Sequence, residues 1–326
     1  MLWLFFVALS ASGAYYVIQA IIADAVFIIM IRLIYRRIMI MKINTFGIIG
    51  GDKRQLYCAQ SIARDGYGVF LYGFDEFEYG EEMAMVPNCE LRSAAEADAV
   101  ILPMPLSKDG KNLYAPYSGA NDELKTVLEL IGNEKPVFSG IYGKADAEIT
   151  AGLNIRRYSD REDFAAANAV PTAEGAIELA MKEYSGTING SRCLVSGCGK
   201  CGRVLSSMLK GLCADVTVYA RKSTDRVFAE AVGMKSISSL SLGSEYDLIF
   251  NTVPAQLFDA LTLAKIASEA IVIDLASLPG GVDDKAAERM NIKVLHALSL
   301  PGKAAPKTAG IIIKNAVYNM LKEDMK

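Results

Sequence analysis

The sequence predicts an α/β protein built of two doubly wound parallel-sheet domains around a cleft, with its last helix packed back on the first domain. Three observations predict it. Short apolar runs of strand character alternate with helical pattern along most of the 326 residues, which implies parallel sheets with helices on both faces. Polar and glycine-rich words follow nearly every such run, where ligands gather in sheets of this kind. One stretch, Arg192 to Arg203, joins an apolar strand, a glycine turn and a helix in a single unit.

That stretch reads RCLVSGCGKCGR, with Gly197, Gly199 and Gly202 at G-x-G-x-x-G spacing. Gly197 allows the tight turn, Gly199 lets the backbone approach a pyrophosphate, and Gly202 lets helix and strand pack closely. The free N–H groups and positive dipole end of the new helix complete the anion site, with Lys200 and Cys201 in the loop. This is the fingerprint of a Rossmann-like nucleotide domain, and the same architecture is expected for the first domain. The next strand ends in Arg221, Lys222 and Ser223. An NAD site usually places an acid there for the ribose 2′-hydroxyl. Two cations and a hydroxyl suit a 2′-phosphate, so the expected cofactor is NADP, with NAD as the alternative. Later strands end in Asn251-Thr252-Val253-Pro254 and in Asp274-Leu275-Ala276-Ser277, which places these words on the nicotinamide side.

The net charge of −3 argues against nucleic acid as a partner. The six cysteines do not form a secreted disulfide framework, and a reducing cytoplasm fits them. Cys198 and Cys201 have the spacing of a redox or metal pair. They occupy variable positions of the fingerprint, no second pair exists, and the chain has one histidine, so no metal is expected. That histidine, His296, follows a buried strand without an evident carboxylate to orient it, and a catalytic role is not favoured.

Residues 1–40 stand apart. Met1 to Ile31 carry one charge, Asp24, and are long and apolar enough to span a bilayer, with Arg32, Arg36 and Arg37 following. The favoured reading is an over-extended gene start. Met41-Lys42-Ile43 has the look of a bacterial start, and Arg36-Arg37 is what a translated AGG-AGG ribosome-binding run would give. A membrane anchor is the alternative.

Residues 41–170 are expected to form the substrate domain, completed by the helix of residues 306–326. Strands are predicted over Ile43–Ile49, Tyr67–Tyr72, Ala99–Leu102 and Pro136–Ile141, and helices from Gln55 to Arg64 and Asn121 to Ile131. Its ligand loops are Gly50–Gln55, Pro103–Leu106 and Ser139–Gly143. Pro171 or Thr172 is predicted to open a helix that serves as hinge, with Glu174 in its first turn. Residues 171–305 are expected to form the NADP domain. The run Leu300–Gly310 predicts a rigid cationic turn across the cleft, carrying Lys303 and Lys307.

Together these words resemble one family, the A subunit of dipicolinate synthase, from about Met41 onward. The specific ones are Gly50-Gly51-Asp52-Lys53-Arg54-Gln55 and Leu300 through Gly310. Pro171-Thr172-Ala173-Glu174-Gly175 and the words already quoted also match, while residues 1–40 lie outside the pattern. The resemblance implies oxidation of a dihydrodipicolinate to pyridine-2,6-dicarboxylate in the mother cell of a sporulating bacterium, beside a flavoprotein-like B subunit. A homo-oligomer is expected. Another hydroxyacid or amino-acid dehydrogenase, or a non-catalytic nucleotide-binding subunit, are the rival classes.

A small ring dicarboxylate needs cations or N–H donors at both acids. Arg54, Lys303 and Lys307 are the candidate cations, with Gln55 and Thr172 nearby and the Gly50–Gly51 turn and Ser139–Gly140 as N–H donors. Asp52, Glu174 or Lys307 are the candidate acid–base groups.

Overall fold

A computed structural model describes residues 43–80, 86–140, 143–240, 243, 245–277 and 279–324. The apolar extension, Met41, residues 141 and 142 of the third ligand loop, and the end of the strand predicted to Ile141 lie outside them.

The first domain alternates β1 (Thr45–Ile49), α1 (Lys53–Arg64), β2 (Gly68–Tyr72), α2 (Leu91–Ala95), β3 (Ala99–Ile101), α3 (Leu124–Ile131), β4 (Val137–Ser139), α4 (Lys144–Ile149) and β5 (Ile155–Arg157). All strands are parallel, in the order β2-β1-β3-β4-β5. The chain reverses its winding between β1 and β3, so the loops after those two strands flank the crevice. Helix α1 begins at Lys53 because Asp52 caps it. The Asp52 carboxylate accepts from the Arg54 N–H, and the Gln55 side chain accepts from the Asp52 N–H, a reciprocal capping box.

The second domain contains β6 (Arg192–Ser196), α6 (Lys200–Gly211), β7 (Asp215–Tyr219), α7 (Ser223–Ala231), β8 (Lys235–Ile237), β9 (Leu248–Asn251), α8 (Ala260–Leu263), β10 (Ile271–Asp274), α9 (Asp284–Arg289) and β11 (Lys293–His296). Its six parallel strands run β11-β10-β9-β6-β7-β8. The switch point falls between β6 and β9, where Ser196 pairs with Asn251, and Asn251 with Asp274. The carboxyl ends of three strands therefore meet beside the glycine turn.

Two segments join the domains. Helix α5 spans Glu162–Glu183, so Pro171 lies inside it and does not open it. The predicted helix start is thus corrected by nine residues. Arg161 is extended, Glu162 and Asp163 supply the acids that favour a helix N-terminus, and the chain turns helical there. Pro171 is buried, and Thr172 Oγ1 donates to the Asn168 carbonyl at 2.7 Å, one turn back. The connection at the other end is a short helix, α10 (Leu300–Ala304), followed by α11 (Pro306–Glu323), not an open turn. Pro306 stands in the first turn of α11, where its missing N–H costs nothing.

Helix α11 returns to the first domain. Ile312, Ile313, Val317 and Leu321 enter the core formed with Leu56, Ile62, Phe46 and Phe138. Gly310 is the point of closest approach, since a Cβ there would lie 2.4 Å from the Arg54 carbonyl oxygen. Lys314 pairs with Asp65 at 2.8 Å and Arg161 with Glu323 at 2.7 Å, which pins both ends of the contact. Among the described residues no helix is long and apolar enough to cross a membrane.

Candidate functional site

The glycine turn of the second domain opens on a cavity of about 280 Å³. Gly197 has φ +101°, a conformation that side chains resist, and a Cβ there would meet Thr252 Oγ1 at 2.5 Å. A Cβ on Gly202 would strike the Gly197 carbonyl oxygen at 2.2 Å, so helix α6 could not sit so close with any other residue. Gly199 differs from both. It caps α6 and nothing lies within 4 Å of where its Cβ would be. That open volume, at the free N–H groups of a helix twelve residues long, is the cradle a pyrophosphate requires.

The cavity walls collect most of the nucleotide residues expected from the sequence: Gly197, Gly199, Lys200, Cys201 and Gly202 on one side, Thr252, Val253 and Pro254 on the other, and Arg221 with Lys222 at the far end. Arg221 and Lys222 are exposed and make no ion pair among the described residues. Lys200 is held by Glu162 at 2.5 Å, which ties the loop to the start of α5. Ser223 begins α7 behind the cations and is not on the wall. Asn251 is fully buried and works beneath the floor, while buried Ala276 and exposed Ser277 also lie off the wall.

Sequence reasoning does not find Asp225, Tyr219 and Leu257, which also line the cavity. Asp225 is bound by Arg203 at 2.9 Å, and Arg203 also donates to the Cys198 carbonyl and lies over the Phe228 ring at 4.4 Å. A carboxylate beside Arg221 thus has its own counter-ion. Burial pushes the Cys201 thiol up to about 11, so it is not a ready nucleophile. Among the described residues no group of His, Cys, Asp and Glu is placed to hold a metal.

Beneath the floor, Asp274 is fully buried and fully paired. It accepts from Asn251 Nδ2 at 2.8 Å and from the N–H groups of Ala276 and Gly281. His296 is not without carboxylates, contrary to the expectation from sequence. Its Nε2 lies 2.8 Å from Asp284 Oδ1, and its Nδ1 is 4.0 Å from Asp274. Helix α9 supplies Asp284, a residue too far along the chain to be matched with His296 by spacing.

The first domain departs from expectation more strongly. Arg54 is 4% exposed and turned inward. Its guanidinium grips Asp52 through two contacts, 2.9 Å to Oδ1 and 2.7 Å to Oδ2, and donates to the Met104 carbonyl. Burial alone would lower its pKa, but the Asp52 hydrogen bond and charge outweigh burial and raise it. Gly302 covers it, since a Cβ there would stand 2.9 Å from Arg54 Nε. Arg54 is therefore the tie between the first loop, the second loop and α10. Asp52 is committed to this pair and to the cap of α1. Gln55 is fully buried within the same capping box.

The expected backbone donors are spent as well. Gly50 donates to the Tyr72 carbonyl, Gly51 to Tyr114 at 2.7 Å, and Gly140 to Pro103. Gly140 is pressed on the second loop, where a Cβ would meet Met104 Cβ at 2.2 Å, and Ser139 is fully buried. By contrast, Lys303 and Lys307, like Glu174 on α5, are exposed and make no ion pair among the described residues. Gly175 lets α5 pack against α10, since a Cβ there would stand 3.0 Å from Leu300 Cβ, so Glu174 and Lys303 belong to one junction. Neither Arg54 nor Lys307 reaches the wall of the nucleotide cavity.

Comparison with known proteins places this geometry. Residues 45–159 match the family described as the N-terminal domain of the dipicolinate synthase A subunit, and residues 164–287 match D-isomer specific 2-hydroxyacid dehydrogenase, NAD binding domain. The A subunit of dipicolinate synthase from Bacillus subtilis (strain 168) is 32% identical over 282 residues, which is 85% of this chain and 95% of that protein. The crystal structure of the corresponding dipicolinate synthase protein from Bacillus halodurans superposes with a TM-score of 0.75 at 30% identity, over 85% of this chain and 97% of the other. The Bacillus subtilis crystal structure superposes equally well, with a TM-score of 0.75 at 30% identity over 87% and 97%. The second domain is thus a nicotinamide-nucleotide domain of dehydrogenase type.

Proposed function

Because the chain belongs to the family of dipicolinate synthase A subunits, we propose that it oxidises a dihydrodipicolinate to pyridine-2,6-dicarboxylate with NADP. The observation that carries the reading is the open cradle at Gly199, running to two exposed cations, Arg221 and Lys222. Held there, the dinucleotide supplies a hydride acceptor, and aromatisation of the ring provides driving force. The N-terminus of α6 faces the pyrophosphate. Arg221 and Lys222 take the 2′-phosphate.

Lys303 and Lys307 hold one acid group of the substrate at the junction of the domains, where a carboxylate finds two exposed ammonium groups. With Asp52 held by Arg54 and by the cap of α1, Glu174 accepts the proton that leaves the ring. Thr172, two residues from Glu174, is bound to the Asn168 carbonyl and acts only through its position on α5. A flavoprotein-like B subunit is the proposed partner, with a homo-oligomer of this chain, in the mother cell of a sporulating bacterium.

The test is absorbance at the reduced-nicotinamide band. The full chain is mixed with NADP or NAD and freshly made dihydrodipicolinate, with and without the flavoprotein-like partner. Reduction that prefers NADP is expected; Glu174→Gln lowers the rate by about 10²-fold or more, and Lys307→Met raises the substrate KM. No reduction under either condition, with the nucleotide bound, would leave only a binding protein.

A further inference from the structure

One cation of the first domain has no role in the reaction proposed above. Lys108 is exposed and makes no ion pair among the described residues, yet it is not a loose surface lysine. Its ammonium lies 4.3 Å from the centroid of the Tyr114 ring. The turn beneath it is fixed. Asp109 accepts from Ser107 Oγ and from the N–H groups of Lys111 and Asn112, and Gly110 donates back to Ser107 Oγ. The acid next to Lys108 is thereby held by the turn and makes no ion pair with the ammonium.

Tyr114 belongs to the loop edge. Its carbonyl receives the Gly51 N–H, and its own N–H donates to Leu106, so it bridges the first and second ligand loops. Its ring and that of Tyr117 are half-buried. Burial and then the charge of Asp52 push both phenols up. Arg54, locked to Asp52, lies directly under Gly302, the neighbour of Lys303. The first ligand loop thus touches both the segment that carries Tyr114, under Lys108, and the helix α10, which carries Lys303.

We infer that Lys108, seated on the Tyr114 ring, binds the second carboxylate of a planar diacid whose first carboxylate is held from α10. A ring with two acids needs two separate cationic points. The C-terminal junction provides one; of the expected partners at the other end, Arg54 is already ion-paired with Asp52 and the Gly50, Gly51 and Gly140 N–H groups are hydrogen-bonded within the chain. Seating on an aromatic face restricts the lysine rotamers and leaves the charge unneutralised, so the carboxylate gains a pre-positioned donor. The inference rests on the diacid substrate of the reading above.

Calorimetric titration of the NADP-loaded full chain tests it, with pyridine-2,6-dicarboxylate and pyridine-2-carboxylate as probes. Lys108→Met is expected to weaken the diacid at least tenfold and the monoacid less than twofold. Lys108→Arg is expected to recover most of the diacid affinity, and Tyr114→Leu to fall between the two. NADP affinity within twofold of the parent chain in each variant reports an intact fold. Equal losses for both acids, or diacid binding unchanged in Lys108→Met, overturn the subsite while leaving the proposed reaction standing. A parent chain that binds neither acid removes the diacid substrate and the subsite with it.

Discussion

The molecule contains two glycine turns at the same topological place, each after the first strand of a doubly wound sheet and each opening a helix. At Gly199 the space beside the backbone is open. At Gly50 and Gly51 it is already filled. A Cβ on Gly50 would meet Leu113 and the Tyr114 carbonyl near 3 Å, and one on Gly51 would meet the Gln55 side chain at 2.5 Å. The second-domain turn is a cradle that waits for a ligand. The first-domain turn is a joint that binds other loops of the same chain. Glycine marks close approach in both, and only the structure tells whether the approaching group is foreign or internal.

The joint is broken most severely at Arg54. Arg54→Ala leaves the Asp52 carboxylate without its counter-ion and frees two loops and α10 at once. A loss of about 3 kcal/mol in stability is expected, read from the urea midpoint. Substrate and nucleotide binding then fall together, as parts of one disrupted edge. A stable variant with a selective rise in substrate KM would return Arg54 to the role of a direct ligand. Gly51→Ala attacks the same joint more gently. Its φ of +101° and the Gln55 contact together predict about 2 kcal/mol of destabilisation, with nucleotide affinity kept.

The two turns also differ in how far the sequence reveals them. In the second domain each central strand carries its own apolar run and ends in a polar word, so the sheet and nearly the whole nucleotide wall are legible from local pattern. The edge strands Lys235-Ser236-Ile237 and Ile155-Arg156-Arg157 are not, because three residues with charged members carry no periodicity. Helix α5 reads short because a proline usually opens or ends a helix, and nothing local shows that it is tolerated within one. Arg54 reads as a ligand because its cation sits in a glycine-rich turn. Its partners, the Met104 carbonyl and Gly302, come from distant segments, and no spacing in the sequence joins them. Asp225 is hidden for the same reason, being satisfied by Arg203 from another helix.

The open turn is best sharpened by Gly199→Ala. Its backbone has φ −78°, which alanine adopts freely, and no atom waits within 4 Å. The free protein should keep its unfolding midpoint. Nucleotide affinity should fall about tenfold, roughly 1.4 kcal/mol, because the methyl group occupies the volume kept for the pyrophosphate. Equal behaviour of Gly51→Ala and Gly199→Ala, in either stability or affinity, would erase the distinction between joint and cradle.

The smallest effect is expected at the far end of that cradle. Arg221 is exposed, so water and salt screen whatever it holds, and its contribution is limited to about 1 kcal/mol. Arg221→Ala should weaken NADP about fivefold and leave NAD within about twofold, with the difference shrinking as ionic strength rises. Asp225 sharpens the same point. Its charge is balanced by Arg203, so Arg203→Ala should free the carboxylate to repel the 2′-phosphate and lower the NADP preference as well. A preference that survives both substitutions would place the 2′-phosphate on Lys222 alone, and one that was never present would make the open turn an NAD site.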